Sequence, residues 1–108
     1  FRFGNLSQMF AIGMTEGIQH RAVGPAWVDN VLEPTVDAFR RRLDAHVARG
    51  EMRPCDTRSA ALALIAPLVI ASFHQRDLGG AEAYPLDLDL FVATHAEGFV
   101  RGYRAIDD

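Results

Sequence analysis

The chain has 108 residues, 49% of them hydrophobic, 9% aromatic and 23% charged, enough for one ordinary domain, too few for two and too apolar for a disordered tail. Eleven cations, all Arg, against fourteen anions leave a formal charge of −3, which excludes a basic nucleic-acid binder acting alone. The one Cys excludes an internal disulfide framework and fits a reducing compartment such as the cytoplasm.

Four helices and no convincing strand are predicted. The first runs from about Asn5 to Arg21, with Leu6, Met9, Phe10, Gly13, Met14, Gly17 and Ile18 on one face at helical spacing. Gly24-Pro25 is expected to stop it and open a turn. The second spans about Ala26 to Arg49, with Val28, Val31, Leu32, Thr35, Phe39, Leu43 and Val47 as its apolar stripe. Pro34 should kink it or mark a restart. Asp37 with Arg41 and Arg40 with Asp44 are opposite charges four apart on its outer face. Gly50 supplies the left-handed residue that closes it.

Asp56 is the expected N-cap of the third helix, which runs to about Leu78. Its twelve residues from Ala60 to Ala71 are Ala, Leu, Ile, Val and Pro67 only. That run is short of the roughly twenty residues a membrane span needs, so it reads as a buried helix. Being apolar nearly all round, it should be covered on both sides, the second cover coming from another chain. After a loop through Gly79-Gly80 to Pro85, Leu86-Asp87-Leu88-Asp89-Leu90 alternates like a strand. The pattern then continues at helical period through Phe91, Val92, His95, Phe99 and Tyr103.

The stretch Arg49-Gly50-Glu51-Met52-Arg53-Pro54 then Asp56, the Ala/Leu helix broken at Ala66-Pro67, the Gly-rich loop and the last helix with its Gly98–Gly102 end together carry a resemblance. The chain resembles the C-terminal effector-binding and dimerisation domain of TetR-family transcriptional regulators, over about Val31 to Arg104. The resemblance implies an all-α antiparallel bundle of about four helices, with residues 1–108 forming one ligand-binding and dimerisation domain. Thr57–Leu78 and Leu86–Arg104 would pair with a second copy as an intermolecular four-helix bundle. Across that two-fold, Leu62, Ile65, Val69 and Phe73 are expected to meet Phe91, His95 and Phe99. In such proteins a ligand shifts the long helices and re-spaces two DNA-binding heads. Phe1 is not an initiator residue, so the chain is expected to be a fragment. No helix-turn-helix precedes the first helix, so DNA contact is expected only through a domain outside it. The start shows no signal peptide.

A ligand wall is legible on helix faces. Met9, Phe10, Gly13, Met14 and Gly17 could face Trp27, Val31, Thr35 and Phe39, a lining suited to a flat, apolar or aromatic effector. The same side chains could equally fill the core. Gly13 and Gly17 point to close helix contact or to room for a ligand, because helix-interior glycine costs up to about 1 kcal/mol. A plain helical interaction module with no small-molecule ligand stays open as the alternative.

Other chemistry is thinly represented. His20, His46, His74 and His95 are not spaced as metal ligands, and neither a metal nor a cofactor is expected. Asp56 beside Cys55 would raise its pKa, against a nucleophilic thiol. No phosphate loop, nucleophile elbow or carboxylate pair suggests an enzyme. Arg40-Arg41-Arg42, flanked by Asp37 and Asp44, reads as a charge-paired face.

Overall fold

The computed structural model describes residues 4–19, 21 and 23–106, with side chains from residue 11 onward. Among them the chain is all-α: α1 (Gly4–Gln19), α2 (Val23–Trp27), α3 (Glu33–Ala48), α4 (Thr57–Ser72), α5 (Gly80–Ala83) and α6 (Leu88–Tyr103). Wide π turns at Val28–Leu32 and Phe73–Asp77 continue α2 into α3 and extend α4.

Gly24-Pro25 does not break the chain as expected. Both residues lie inside α2, where Pro25 loses nothing because the first four N–H groups of a helix have no intrahelical acceptor. The disturbance falls later, ahead of Pro34. There the Glu33 N–H bonds the Val28 carbonyl five residues back, so the helix widens where the proline ring would crowd the preceding turn. Asn30 Nδ2 donates to the Ala26 carbonyl at 2.7 Å and Thr35 Oγ1 to that of Val31 at 2.8 Å. One long helical run with a wide turn therefore replaces the kinked second helix.

The turn after α3 forms as its residues dictate. Gly50 takes φ +78°, and the Gly50 and Glu51 N–H groups bond the Val47 and His46 carbonyls at 3.0 Å each, closing the helix. The loop then meets the far end of the chain. Met52 and Arg104 form an isolated antiparallel bridge, flanked by Arg53 N–H to Tyr103 O at 2.9 Å and Ala105 N–H to Glu51 O at 3.2 Å. Met52 thus plugs the core of Val36, Leu43, Ala60 and Ala61, against which Val47, Ile65, Phe99 and Tyr103 also pack.

Asp56 caps α4, accepting from the Arg58 and Ser59 N–H groups, and Asp87 caps α6 through the Leu90 N–H. Hydrogen bonds to Ser59 hold the Asp56 carboxyl below its ordinary pKa. Arg40 does the same for Asp37, and Arg49, then His46, for Glu51. A carboxylate whose folded pKa is depressed contributes stability above its unfolded pKa, about 4, and loses it as pH falls through the folded value. We expect the melting temperature to hold from pH 6 to about pH 4 and to fall below it, with Asp56→Asn flattening part of that fall in a pH series followed by circular dichroism.

The Cα radius of gyration is 15.8 Å and the extents are 48 × 35 × 17 Å, against about 13 Å for a compact chain of this length. A slab 17 Å thick holds about two layers of helices, given their diameter of about 10 Å. α4 and its π turn run 21 residues, Thr57–Asp77, long and apolar enough by composition to cross a membrane. Length thus does not exclude a span, as the twelve-residue apolar run had suggested. α4 packs on α3 and α6, burying Ala60, Ala61, Ala71 and Ser72, and its other side stays uncovered among the described residues.

Candidate functional site

α1 packs on α2 and on the π turn Phe73–Asp77, and its contact with α2 is made at two glycines. The indole of Trp27 lies against Gly13 so closely that a Cβ there would sit 1.9 Å from Nε1. One turn on, a Cβ on Gly17 would meet the Gly24 Cα at 3.3 Å, and one on Gly24 the Gly17 carbonyl oxygen at 2.9 Å. Both α1 glycines therefore serve close helix contact, and the indole fills the space Gly13 leaves. Met14, Val31 and Thr35 are half-buried, while Phe39 is more exposed. The side chains of Met9 and Phe10, and all of His20, lie outside the described residues.

The residues expected at the two-fold divide between two sides of the slab. Phe73 is buried within the chain, and Ile65 and Phe99 pack on its own core. Val69, Phe91 and His95 are half-buried. Phe91 and His95 stack at 6.3 Å, and His95 Nε2 lies 2.9 Å from the Leu64 carbonyl. A carbonyl only accepts, so that nitrogen carries the proton. Leu62 faces outward at 49% exposed, as do three residues outside the predicted set: Ile70 at 59%, Leu90 at 63% and Val100 at 60%. The periodicity that put Ile65 and Phe99 on an apolar stripe was sound, but it could not say which of two apolar sides faces the chain's own core.

Gln75 was missed altogether. Its amide is buried, with Nε2 donating to the Tyr84 carbonyl at 2.9 Å and Oε1 accepting from the Leu86 N–H at 2.8 Å. It fastens the α5 loop to the end of α4. A glutamine just past an apolar run was the available signal. His74 Nδ1 lies 2.8 Å from the same amide, and a Cβ on Gly80 would strike the His74 carbonyl at 2.4 Å.

The remaining polar groups form local pairs. Arg40 bridges Asp37 and Asp44, and Arg41 reaches Asp37 at 3.0 Å, so the basic triplet sits on a charge-paired face. His46 meets Glu51 at 3.2 Å. Among the described residues no three His, Cys, Asp or Glu side chains gather as a metal site, and Cys55 is exposed. The arrangement offers apolar surface and helix junctions.

A family model described as the C-terminal domain of AefR-like transcriptional repressors matches residues 5–105. Neither curated proteins nor solved structures give a match. The matched span includes α1 and the Gly13–Trp27 crossing, which lie outside the stretch that carried the resemblance, as well as the turn and paired helices that did carry it. With nearly the whole chain inside that match and an all-α fold to agree with it, the chain belongs to the TetR-type regulator family as an effector-binding and dimerisation domain of the AefR-like kind.

Proposed function

We propose that this domain is the ligand-sensing and dimerisation half of a cytoplasmic transcriptional repressor, non-enzymatic and homodimeric. It would contact DNA only through a helix-turn-helix head outside the chain. The observation that carries the reading is the apolar side of α4 and α6 left uncovered among the described residues, where Leu62, Ile70 and Leu90 stand exposed on a two-layer slab. A second copy laid on that side would complete a four-helix bundle and cover these residues. A small apolar or aromatic effector would sit at the wall of Met9, Phe10, Gly13, Met14, Gly17, Trp27, Val31, Thr35 and Phe39. By moving the Trp27 indole it would shift α1 against α2, and so the helical run that continues into α3.

The test is molar mass by light scattering over a dilution series. The wild type should be a dimer, and Leu62→Asp and Ile70→Asp should yield folded monomers, because both side chains are exposed within the chain. The predicted seam residues Ile65 and Phe99 are poorer probes, since aspartate there would also damage the protomer core. A monomeric wild type would end the repressor reading. One observation favours the alternative of a ligand-free interaction module: Trp27 already fills the space over Gly13. An apolar compound at 100 times its dissociation constant should stabilise the domain by about 2.7 kcal/mol. A dimer that no such compound stabilises would select the module.

A further inference from the structure

We propose that a second, separate binding site lies at the opposite end of the molecule from the Trp27 crossing, between the C-terminal ends of α3 and α6. It would take a small aromatic or short-chain carboxylate. A cavity of ≈ 270 Å³ opens there, walled by Leu43, Met52, Phe99, Val100 and Tyr103, with His46 and Arg104 at its edge. Leu43 and Met52 are buried, and the Phe99 and Tyr103 rings lie 4.7 Å apart between centroids. This is room for a single ring or a few methylenes, below the size of drug-like sites.

The charge at the mouth selects the head group. Arg104 also borders an adjoining cleft that it shares with Arg53 and Arg101. Arg101 is held by Glu97 at 2.5 Å. The Arg53 guanidinium lies 5.4 Å from the centre of the Tyr103 ring. Neither Arg53 nor Arg104 has a carboxylate partner among the described residues. Glu51, the one acid on the rim among the described residues, is occupied by Arg49 at 2.5 Å and His46 at 3.2 Å. An apolar slot bordered by Arg104, with Arg53 in the cleft beside it, fits an apolar body ending in a planar carboxylate, which a guanidinium binds through two parallel hydrogen bonds. A neutral molecule would leave that match unused, and an inorganic anion would leave the slot empty. The walls are also preorganised: the Met52–Arg104 bridge and the Arg53–Tyr103 and Glu51–Ala105 backbone bonds tie the two sides together.

This inference does not rest on the repressor reading, and it would hold for an interaction module as well. The experiment is a titration of the 108-residue chain with phenylacetate, and with phenylacetamide as its uncharged counterpart. Binding is followed through the methyl resonances of Met52 and Leu43 and the indole resonance of Trp27. Phenylacetate should saturate shifts at Met52 and Leu43 and leave Trp27 unmoved. The amide should bind about tenfold more weakly, and Arg104→Gln should weaken the acid by about tenfold while leaving the amide unchanged. Equal binding of acid and amide, indifference to Arg104→Gln, shifts confined to Trp27, or no binding would each overturn the proposal.

Discussion

Gly13→Ala should destabilise the domain by about 2 kcal/mol, although alanine is the better helix former by up to about 1 kcal/mol. The added methyl would lie 1.9 Å from Trp27 Nε1 and about 2.5 Å from two further indole atoms. A rigid bicyclic ring has no flexible end to withdraw, so the indole or the whole of α1 must move. Overpacking of this kind costs about 1–3 kcal/mol, and the loss of close packing adds to it. For a chain of this length that is a fall of roughly 10 °C in melting temperature, with a change in Trp27 emission as its environment alters. Gly98→Ala and Gly102→Ala provide the opposite sign. Both lie in α6 with nothing within 4 Å of the new methyl, so each should stabilise by about 0.5–1 kcal/mol in thermal melts. A stabilising Gly13→Ala would show that the indole does not occupy that place and would reopen the space for a ligand.

Gln75→Leu is expected to cost about 2–3 kcal/mol, with loss of order confined first to residues 78–87. The substitution keeps the bulk of the side chain but removes the acceptor for the Leu86 N–H and the donor for the Tyr84 carbonyl. An unmet buried polar group costs about 1–3 kcal/mol. Solvent can reach Tyr84 and Leu86 in part, since both residues are exposed overall, which holds the total below the sum. Hydrogen exchange should show the Leu86 amide losing protection while the amides of α3 keep theirs. Gln75→Glu makes the useful contrast, because its carboxylate still accepts from Leu86 but places no donor at Tyr84. An unchanged Leu86 amide in Gln75→Leu would mean that the loop is held by something other than this side chain.

Much of the local structure was legible because its causes are local. Gly50 closes α3 since only glycine takes a positive φ without cost. Asp56 begins α4 because a short acidic side chain can reach the next two N–H groups. The pairs of Asp37 with Arg41 and Arg40 with Asp44 follow from one turn of helix. Gly24-Pro25 misled for a related reason. The dipeptide is a strong turn signal, yet a proline within the first turn of a helix breaks no hydrogen bond. Whether it ends one helix or begins the next depends on how closely α1 approaches, and that approach is settled by Gly17 and Gly24 touching across the crossing.

Among the candidate site residues, the faces were readable and the partners were not. Gly13 and Trp27 could be placed on facing helices from their spacing, but the choice between an empty groove and a filled one needed the indole in position. Ile65, Phe73 and Phe99 were read onto the outer seam, whereas they pack within the chain and leave Leu62, Ile70 and Leu90 exposed. α4 is apolar almost all the way round, so no periodicity distinguishes its two sides. The Met52 plug and the slot beside Arg104 bring together residues about fifty positions apart, a separation at which sequence spacing carries no geometric information.

The sequence by itself determined the helical class, the caps, the turn after α3, the charge-paired face and the family resemblance. Each depends on contacts within a few residues or on a pattern repeated along one element. Only the tertiary structure decided which apolar side of α4 faces α3, that Trp27 closes over Gly13, that Gln75 holds the last loop, and that the ends of α3 and α6 enclose a slot. Those outcomes turn on side chains from distant parts of the chain competing for the same space. Packing is shape-specific where hydrophobicity alone is not.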